Sequence, residues 1–548
     1  MTSDRSGRSA ANEVHAAFDA AAGRSSTEIA EEQTATGGGA SAGAIRRLAL
    51  GAGTIFVAKV ANTGAKFVTQ VVVARLLGAE HFGLYALCIV IYQIAELFAG
   101  MGLDSGSVRF GSIHHGNGDA QRLKGVIRDS MTIPAAAGVC LGLALFLSAD
   151  LLASGVFHKP AMATGLRIAA VALPFGSMMN VAAFATTASG VTHYLAYVWT
   201  AHPTMNLLLA GTLCAMGLGL AGAIWAWVAA SVVCAGFAAW CVRATWPHLV
   251  GPTIQPLHSR KELLSYSWPL AMGSFVWLVL LWTDILVLGY FGTEEEVGVY
   301  RASSQTSLLL TMIIVSLNTI FTPTIADLLN RRQTTELHGL FRASTRWSLA
   351  ATVPMFLMLC VCSRDLLRIF GSGFERGAAS LVVLAAGQLV TAGTGSCGQI
   401  LAMAGRQYLK LYGDLAMAIM NIVLNLLLVP AYGILGAAAA TAVSVGFVHV
   451  LRLVQVYRVI GIYPYNGSFV RVLVAGTAAG AAAAGVRALL PNVQFVVALV
   501  VLSIAILVVY LPVLWMMGIE NEDKTLFRDM WRRIRGRRSA IHASIGDA

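Results

Sequence analysis

Long apolar runs, each closed by charge, glycine or proline, recur along almost the whole chain. They fall at about 48–76, 83–103, 126–148, 161–186, 192–217, 221–241, 264–291, 298–322, 345–363, 379–403, 411–430, 434–457, 469–489 and 493–516. A bilayer-spanning helix needs about 20 predominantly apolar residues, and each run supplies them. The pattern predicts an all-α membrane protein of about fourteen spans. Residues 1–44 lack any such run and are rich in Ala, Ser, Thr, Gly and Glu, which predicts a disordered cytoplasmic tail. The first run begins only after Arg46 and Arg47, too far in for a cleaved secretory signal, so this span is expected to stay in the mature protein.

Composition excludes a water-soluble fold: 57% of the 548 residues are hydrophobic, 12% are charged and the mean hydropathy is +0.70. A soluble domain carries about 25% charged residues. Lys and Arg then set the orientation. With the N-terminus inside, the cytoplasmic segments hold Arg46/Arg47, Arg109 to Arg128, Arg243 to Lys261, Arg331 to Arg346, Arg406/Lys410, Arg452/Arg458 and a cluster from Lys524 to Arg538. The other loops hold few basic residues and the acidic run Glu294-Glu295-Glu296, which predicts both termini in the cytoplasm. Basic loops facing anionic membrane lipids account for the net charge of +11, with no nucleic acid required. Residues 525–538 read either as an amphipathic helix on the inner leaflet or as a plain basic tail.

The chain also repeats itself. Gly78, Gly83 and Tyr85 recur as Gly292, Gly298 and Tyr300; Leu123, Gly125 and Arg128 as Leu337, Gly339 and Arg342; Asp150 as Asp365; Gly190 and Asn206 as Gly405 and Asn421, all at offsets of 214 or 215 residues. Six spans lie in each copy, an even number, so both copies enter the membrane in the same sense. Two parallel lobes related by an axis along the membrane normal follow, an arrangement suited to rocking about a shared central site. The expected domains are an N-lobe at 45–243, a cytoplasmic linker at 244–263, a C-lobe at 264–458, two appended helices at 468–517 and a basic tail at 518–548.

The same residues carry a resemblance. The stretch Ala74 to Tyr85 with Gly100 to Leu103, then Ala404-Gly405-Arg406, Asn421 to Pro430 and Tyr432 to Ala437, resembles the Wzx-type polysaccharide flippases of the multidrug/oligosaccharidyl-lipid/polysaccharide exporter superfamily, over residues 45 to 516. That resemblance implies a MATE-like fold in a bacterial cytoplasmic membrane. It also implies an undecaprenyl-pyrophosphate-linked oligosaccharide as cargo, turned from the inner to the outer leaflet, with a polysaccharide polymerase and glycosyltransferases as further partners.

Charges inside the spans mark the candidate site, because an ionisable group at mid-membrane costs at least about 2.5–3.5 kcal/mol and needs a polar cavity or a partner. Lys59, Asn62, Thr63, Lys66 and Gln70 form one stripe along the first span. Glu96 on the second span comes out at a depth between those of the two lysines, so a Lys–Glu contact is expected. Asp284 and Arg301 face each other by the same count, with Gln305 one turn further on. Together these predict a cationic cavity for a pyrophosphate and polar sugars; pairs that only pin helices, or an arginine that snorkels, are the alternative. Pro134, Pro174, Pro269, Pro323 and Pro354 read as static kinks more readily than as hinges.

No cofactor, metal site or catalytic residue is expected. The eight cysteines are scattered through apolar segments, His114 and His115 have no ligand partners at useful spacing, and no GxxxxGK phosphate loop occurs. A membrane sugar polymerase or ligase would need a large outer loop, and the longest here, around 364–378, is short. A multidrug/ion antiporter and a peptidoglycan-precursor flippase remain as alternatives of the same architecture.

Overall fold

The computed structural model describes the backbone of residues 26–249, 251, 254–489 and 495–516, and side chains from Val60 onward with Trp277, Phe495 and Val496 excepted. The chain divides into two compact units, Met1–Val57 and Ala58–Ala548. In the first, the described backbone is helical from Ser26. No proline interrupts residues 26–77, and nothing there forbids a helix. The basic tail and the amphipathic segment at 525–538 lie outside the described residues.

The second unit is helical throughout its described secondary structure, with no strand. Numbered along the whole chain, the helices are α1 (Ser26–Gly100), which begins in the first unit, α2 (Leu103–Gly116), α3 (Ala120–Asp150), α4 (Met162–Thr186), α5 (His193–Leu213) and α6 (Gly219–Thr245). There follow α7 (Arg260–Phe291), α8 (Glu294–Ser307), α9 (Thr311–Asn330), α10 (Thr334–Val361), α11 (Ser363–Arg368), α12 (Ala378–Thr394) and α13 (Cys397–Met403). Then come α14 (Gln407–Ile460), α15 (Gly467–Leu489) and α16 (Phe495–Met516).

Among the described residues, ten helical stretches are long and apolar enough to cross a membrane, and eleven if α7, bent by 49° between Val276 and Leu278, counts as one. Three of them, Val60–Gly116, His193–Thr245 and Gln407–Ile460, are 57, 53 and 54 residues long, twice what one crossing needs. Each is interrupted where a glycine leaves the helical region: Gly78, Gly217 with Gly219, and Gly433. Each therefore supplies two crossings, and the described residues account for the fourteen expected spans.

The repeat is visible in the backbone itself. Gly219 (φ 52, ψ −135) and Gly433 (φ 53, ψ −129) stand 214 residues apart in nearly the same conformation, one that a side chain resists. Left-handed backbone also recurs in register at Gly118 and Arg332, at His158 and Gly373, and at Gly190 and Gly405. Because Arg332 and His158 adopt it without being glycine, the turn belongs to the lobe's architecture rather than to one permissive residue.

In the N-lobe α4 packs on α3 and α6, with α5 beside α6; in the C-lobe α14 packs on α7, α12 and α13, with α10 beside α12. The appended α15 and α16 pack on each other and on α10, and Asp365 at the α11 corner ties them down through Arg487 at 2.8 Å. The lobes touch where the glycines are. A Cβ on Gly83 would strike the backbone of Glu294, and one on Gly298 that of Ala79, so α1 and α8 cross in direct backbone contact. Nearby, Lys159 donates to Gly292 O at 2.9 Å. At the other end, buried Asp129 of α3 accepts from His258 and Arg260, at 2.9 and 3.0 Å, and so holds the linker and the start of α7.

Candidate functional site: a charged cavity between the lobes

Between the lobes lies a cavity of about 480 Å³. The N-lobe contributes Lys66, Gln70, Gln93 and Glu96 from the two halves of α1, Ser177 and Asn180 from α4, His202 and Asn206 from α5, and Trp227 from α6. The C-lobe contributes Ala271, Ser274 and Trp282 from α7, and Arg301, Ser304 and Gln305 from α8. Two reasons put these groups on one surface. The hairpin at Gly78 folds the first two spans side by side, so the Lys66 stripe and the Gln93/Glu96 pair, three residues apart on one helix face, look the same way. On α8 the Thr293 hydroxyl accepts from Glu296 N and the Glu296 carboxylate from Thr293 N, a capping box that fixes where the helix starts and hence where Arg301 and Gln305 point.

Five of the eight sequence-derived residues line this cavity: Lys66, Gln70, Glu96, Arg301 and Gln305. Asn62, on the same stripe, does not; it is half-buried, its side-chain oxygen without a partner. The Lys59 side chain lies outside the described residues. Among the described side chains, neither Lys66 with Glu96 nor Asp284 with Arg301 forms an ion pair. Glu96 accepts from Asn180 Nδ2 at 2.9 Å, while Lys66 stands within electrostatic range of both Glu96 and Arg301 and makes no hydrogen bond or salt bridge to any described residue. With the Gln305 amide turned to satisfy both its neighbours, its oxygen accepts from the Arg301 guanidinium at 3.1 Å, and the Arg301 Nε stays unpartnered.

Asp284 is a correction, because it does not line the cavity. It sits 4% exposed on the half of α7 next to Gly292, turned toward α14, and accepts from Asn425 at 2.7 Å, Thr441 at 2.6 Å, Asn421 at 3.3 Å and the Tyr300 hydroxyl. The helix face that carries Asp284 packs into the C-lobe, whereas Arg301, next to Tyr300 on α8, points the other way. A count of depth along two helices cannot tell these faces apart.

Sequence reasoning passed over Gln93, Asn180, His202, Trp227 and Trp282. Trp282 Nε1 donates to Gln93 Oε1 at 3.1 Å, a hydrogen bond that bridges the lobes inside the cavity, and His202 pairs with Ser231 at 3.2 Å beneath Trp227. Gln93 had a signal, since it sits one turn from Glu96. Asn206 had another as the repeat partner of Asn421. Chemically the cavity offers cations, amides and aromatic faces. Among the described residues no cluster of His, Cys, Asp and Glu has the geometry of a metal site.

Two helical lobes of matching build, enclosing a charged cavity, define a multi-pass membrane protein with a MATE-like fold. The model of the polysaccharide biosynthesis protein family matches residues 48–329, more than half the chain, and the chain belongs to that family. A second model, MatE, matches residues 269–431. The chain is 23% identical over 207 residues to the probable low-salt glycan biosynthesis flippase Agl15 of Haloferax volcanii, covering 38% of this chain and 43% of that protein. It is 24% identical over 236 residues to the probable flippase AglR of the same organism, covering 42% and 47%. The chain thus spans under half the length of the curated relatives it matches.

Among solved structures, the lipid II flippase MurJ in an inward closed conformation aligns with a TM-score of 0.68 at 14% identity, over 87% of this chain and 100% of that one. An inward-facing multidrug resistance MATE family transporter of the MOP superfamily aligns at 0.59 and 15%, over 73% and 94%. At these identities the likeness is one of fold.

Proposed function

We propose that this protein flips a lipid-linked oligosaccharide, carried on undecaprenyl pyrophosphate, from the inner to the outer leaflet of a bacterial cytoplasmic membrane for surface polysaccharide synthesis. The observation that carries the reading is one cavity holding an unpaired lysine from one lobe and an arginine from the other. An isolated cation at that depth is costly, and a phosphate is a natural partner for both. With Lys66 on the N-lobe and Arg301 on the C-lobe, an anion between them ties the lobes together, and rocking about it carries the head group across. Membership of the polysaccharide biosynthesis family and the flippase names of both relatives support a glycan cargo. The charge bias places both termini in the cytoplasm, so Gly78 and Gly292 face outside and the linker inside. Glycosyltransferases and a polymerase would supply and consume the cargo. A multidrug role fits less well, because Lys66 and Arg301 repel cationic drugs.

The test is export. Lys59→Ala/Lys66→Ala is expected to cut surface polysaccharide at least about tenfold with the protein still in the membrane, since one lost charge-assisted hydrogen bond alone is worth about 1.5–3 kcal/mol. Normal export by this double variant overturns the cavity assignment. Depletion that lyses cells through loss of wall, leaving surface polysaccharide intact, would move the reading to a peptidoglycan-precursor flippase.

A further inference from the structure

The two lobes meet alike at the glycine crossing and unlike on either side of it. A Cβ on Gly83 would also meet the backbone nitrogen of Gly298, and one on Gly298 that of Gly83; these are repeat partners, so the axis relating the lobes passes between them. The connection after α3 in the N-lobe, and the one after α10 in the C-lobe, each dock on the opposite lobe. In the N-lobe three consecutive residues do so: Phe157 lies where a Cβ on Gly289 of α7 would meet it, the His158 ring stands 6.2 Å from that of Tyr290, and Lys159 donates to Gly292 O. In the C-lobe Phe370 and Phe374 lie 5.9 Å apart and meet Phe67 and Phe82 of α1 at 5.8 and 5.9 Å. His158 and Gly373 share left-handed backbone in the repeat register, so Lys159 and Phe374, one residue further on, hold the same place in two clasps. One clasp ends in an ammonium and the other in a ring.

We propose that the lobes part on this face from the Lys159 side, with the aromatic clasp at Phe370 and Phe374 as the hinge that stays closed. This rests on the rocking of the lobes in the flippase reading above. Burial suits the two clasps differently. Phe370, Phe374 and Phe82 are 1%, 0% and 0% exposed, so separating them brings apolar rings into water. Lys159 is 6% exposed, yet among the described residues its ammonium, which has three donors, finds one acceptor and no ion-pair partner. The bond to Gly292 O and the negative end of the α7 dipole offset only part of the cost of burying that charge, and release into water removes the rest. The cavity then opens between the α3–α4 connection and the end of α7, and the α1 side keeps its seal.

The experiment measures distances by electron paramagnetic resonance in the full-length protein in lipid nanodiscs, with and without undecaprenyl pyrophosphate, using genetically encoded spin labels so that the native cysteines stay. Labels at Leu151 and Phe291 flank the lysine clasp and labels at Arg364 and Leu76 the aromatic one; all four positions are exposed. A second, longer distance is expected for the first pair and none for the second. Lys159→Met keeps the stem and drops the charge. It is expected to cut the ratio of long to short distances in the first pair at least about tenfold, because an apolar replacement for a poorly paired buried ion favours the closed form. Should it not fold, Lys159→Gln serves as the second variant and is expected to cut the ratio less. Lengthening of the second pair, alone or as much as the first, overturns the inference and leaves the flippase reading standing, as does a ratio unchanged or raised in folded Lys159→Met. If neither pair shows a second distance in either condition, the lobes do not rock, and the flippase reading falls together with the inference.

Discussion

The two lobes hold corresponding positions and use them in opposite ways. In the C-lobe Asp284 is enclosed by Tyr300, Asn421, Asn425 and Thr441, all donating to it. Moving back 214 or 215 residues, the same places in the N-lobe hold Gln70, Tyr85, Asn206, Ala210 and Trp227. The tyrosine and one asparagine survive, but the acid has become an amide and two donors have become an alanine and a tryptophan. The result is physical. Both sets keep unpartnered amide oxygens, those of Asn421 and Asn425 in the C-lobe and of Gln70 and Asn206 in the N-lobe, but the C-lobe donors gather on Asp284 away from the central cavity, whereas Gln70, Asn206 and Trp227 line it. A duplicated lobe thus yields one half whose polar set gathers on its own acid and one half whose polar set lines the cavity.

The contrast is sharpest at Asp284. Asp284→Ala removes the acceptor of four donors, three of them on α14, at a buried position. Each orphaned buried donor costs about 1–3 kcal/mol, so the loss is expected to reach about 4 kcal/mol or more and to appear as a large drop in melting temperature of the detergent-solubilised protein. Asp284→Asn, which keeps the shape and one acceptor, should lose less. A melting temperature unchanged in Asp284→Ala would mean that the C-lobe cluster is no more structural than its counterpart.

The lobes behave alike where they touch. Gly83 and Gly298 are repeat partners, and a Cβ on either meets backbone of the other lobe, which cannot swing aside as a side chain can. Gly83→Leu and Gly298→Leu are each expected to force α1 and α8 apart, costing about 1–3 kcal/mol, and to lower export to a similar degree. If one glycine tolerates leucine and the other does not, the crossing is not the symmetric contact described.

Much of this was legible in the residues. Span number follows from apolar length, the two-lobe plan from motifs in register, and five cavity residues from the rule that charge and amide groups in a membrane need a polar surface. Asp284 was not legible, because α7 bends and its rotation about its own axis is set by packing on α14 rather than by spacing. Asn180, His202 and Trp227 gave no charge signal, and one neutral polar or aromatic residue in an apolar span reads equally well as packing. The close crossing of Gly83 and Gly298 appeared in the sequence as a repeat match, yet only coordinates show the backbone it meets.

Gln70 provides the finest test of the difference between lobes. It occupies the register of Asp284, it is half-buried, and its side-chain oxygen has no donor. If the N-lobe polar groups exist for the cargo and not for the fold, Gln70→Ala removes nothing the folded protein uses, and the stability change should stay within about 0.5 kcal/mol, as for a surface substitution. Transport should nonetheless fall a fewfold, because a hydrogen-bonding group beside Lys66 is gone from the loaded state. The two readings separate in one pair of measurements: a melting curve and an export assay on Gln70→Ala beside Asp284→Ala. A Gln70→Ala melting shift as large as that of Asp284→Ala, with transport intact, would show that the N-lobe cluster is scaffolding as well, and that the cavity's polarity is a by-product of packing.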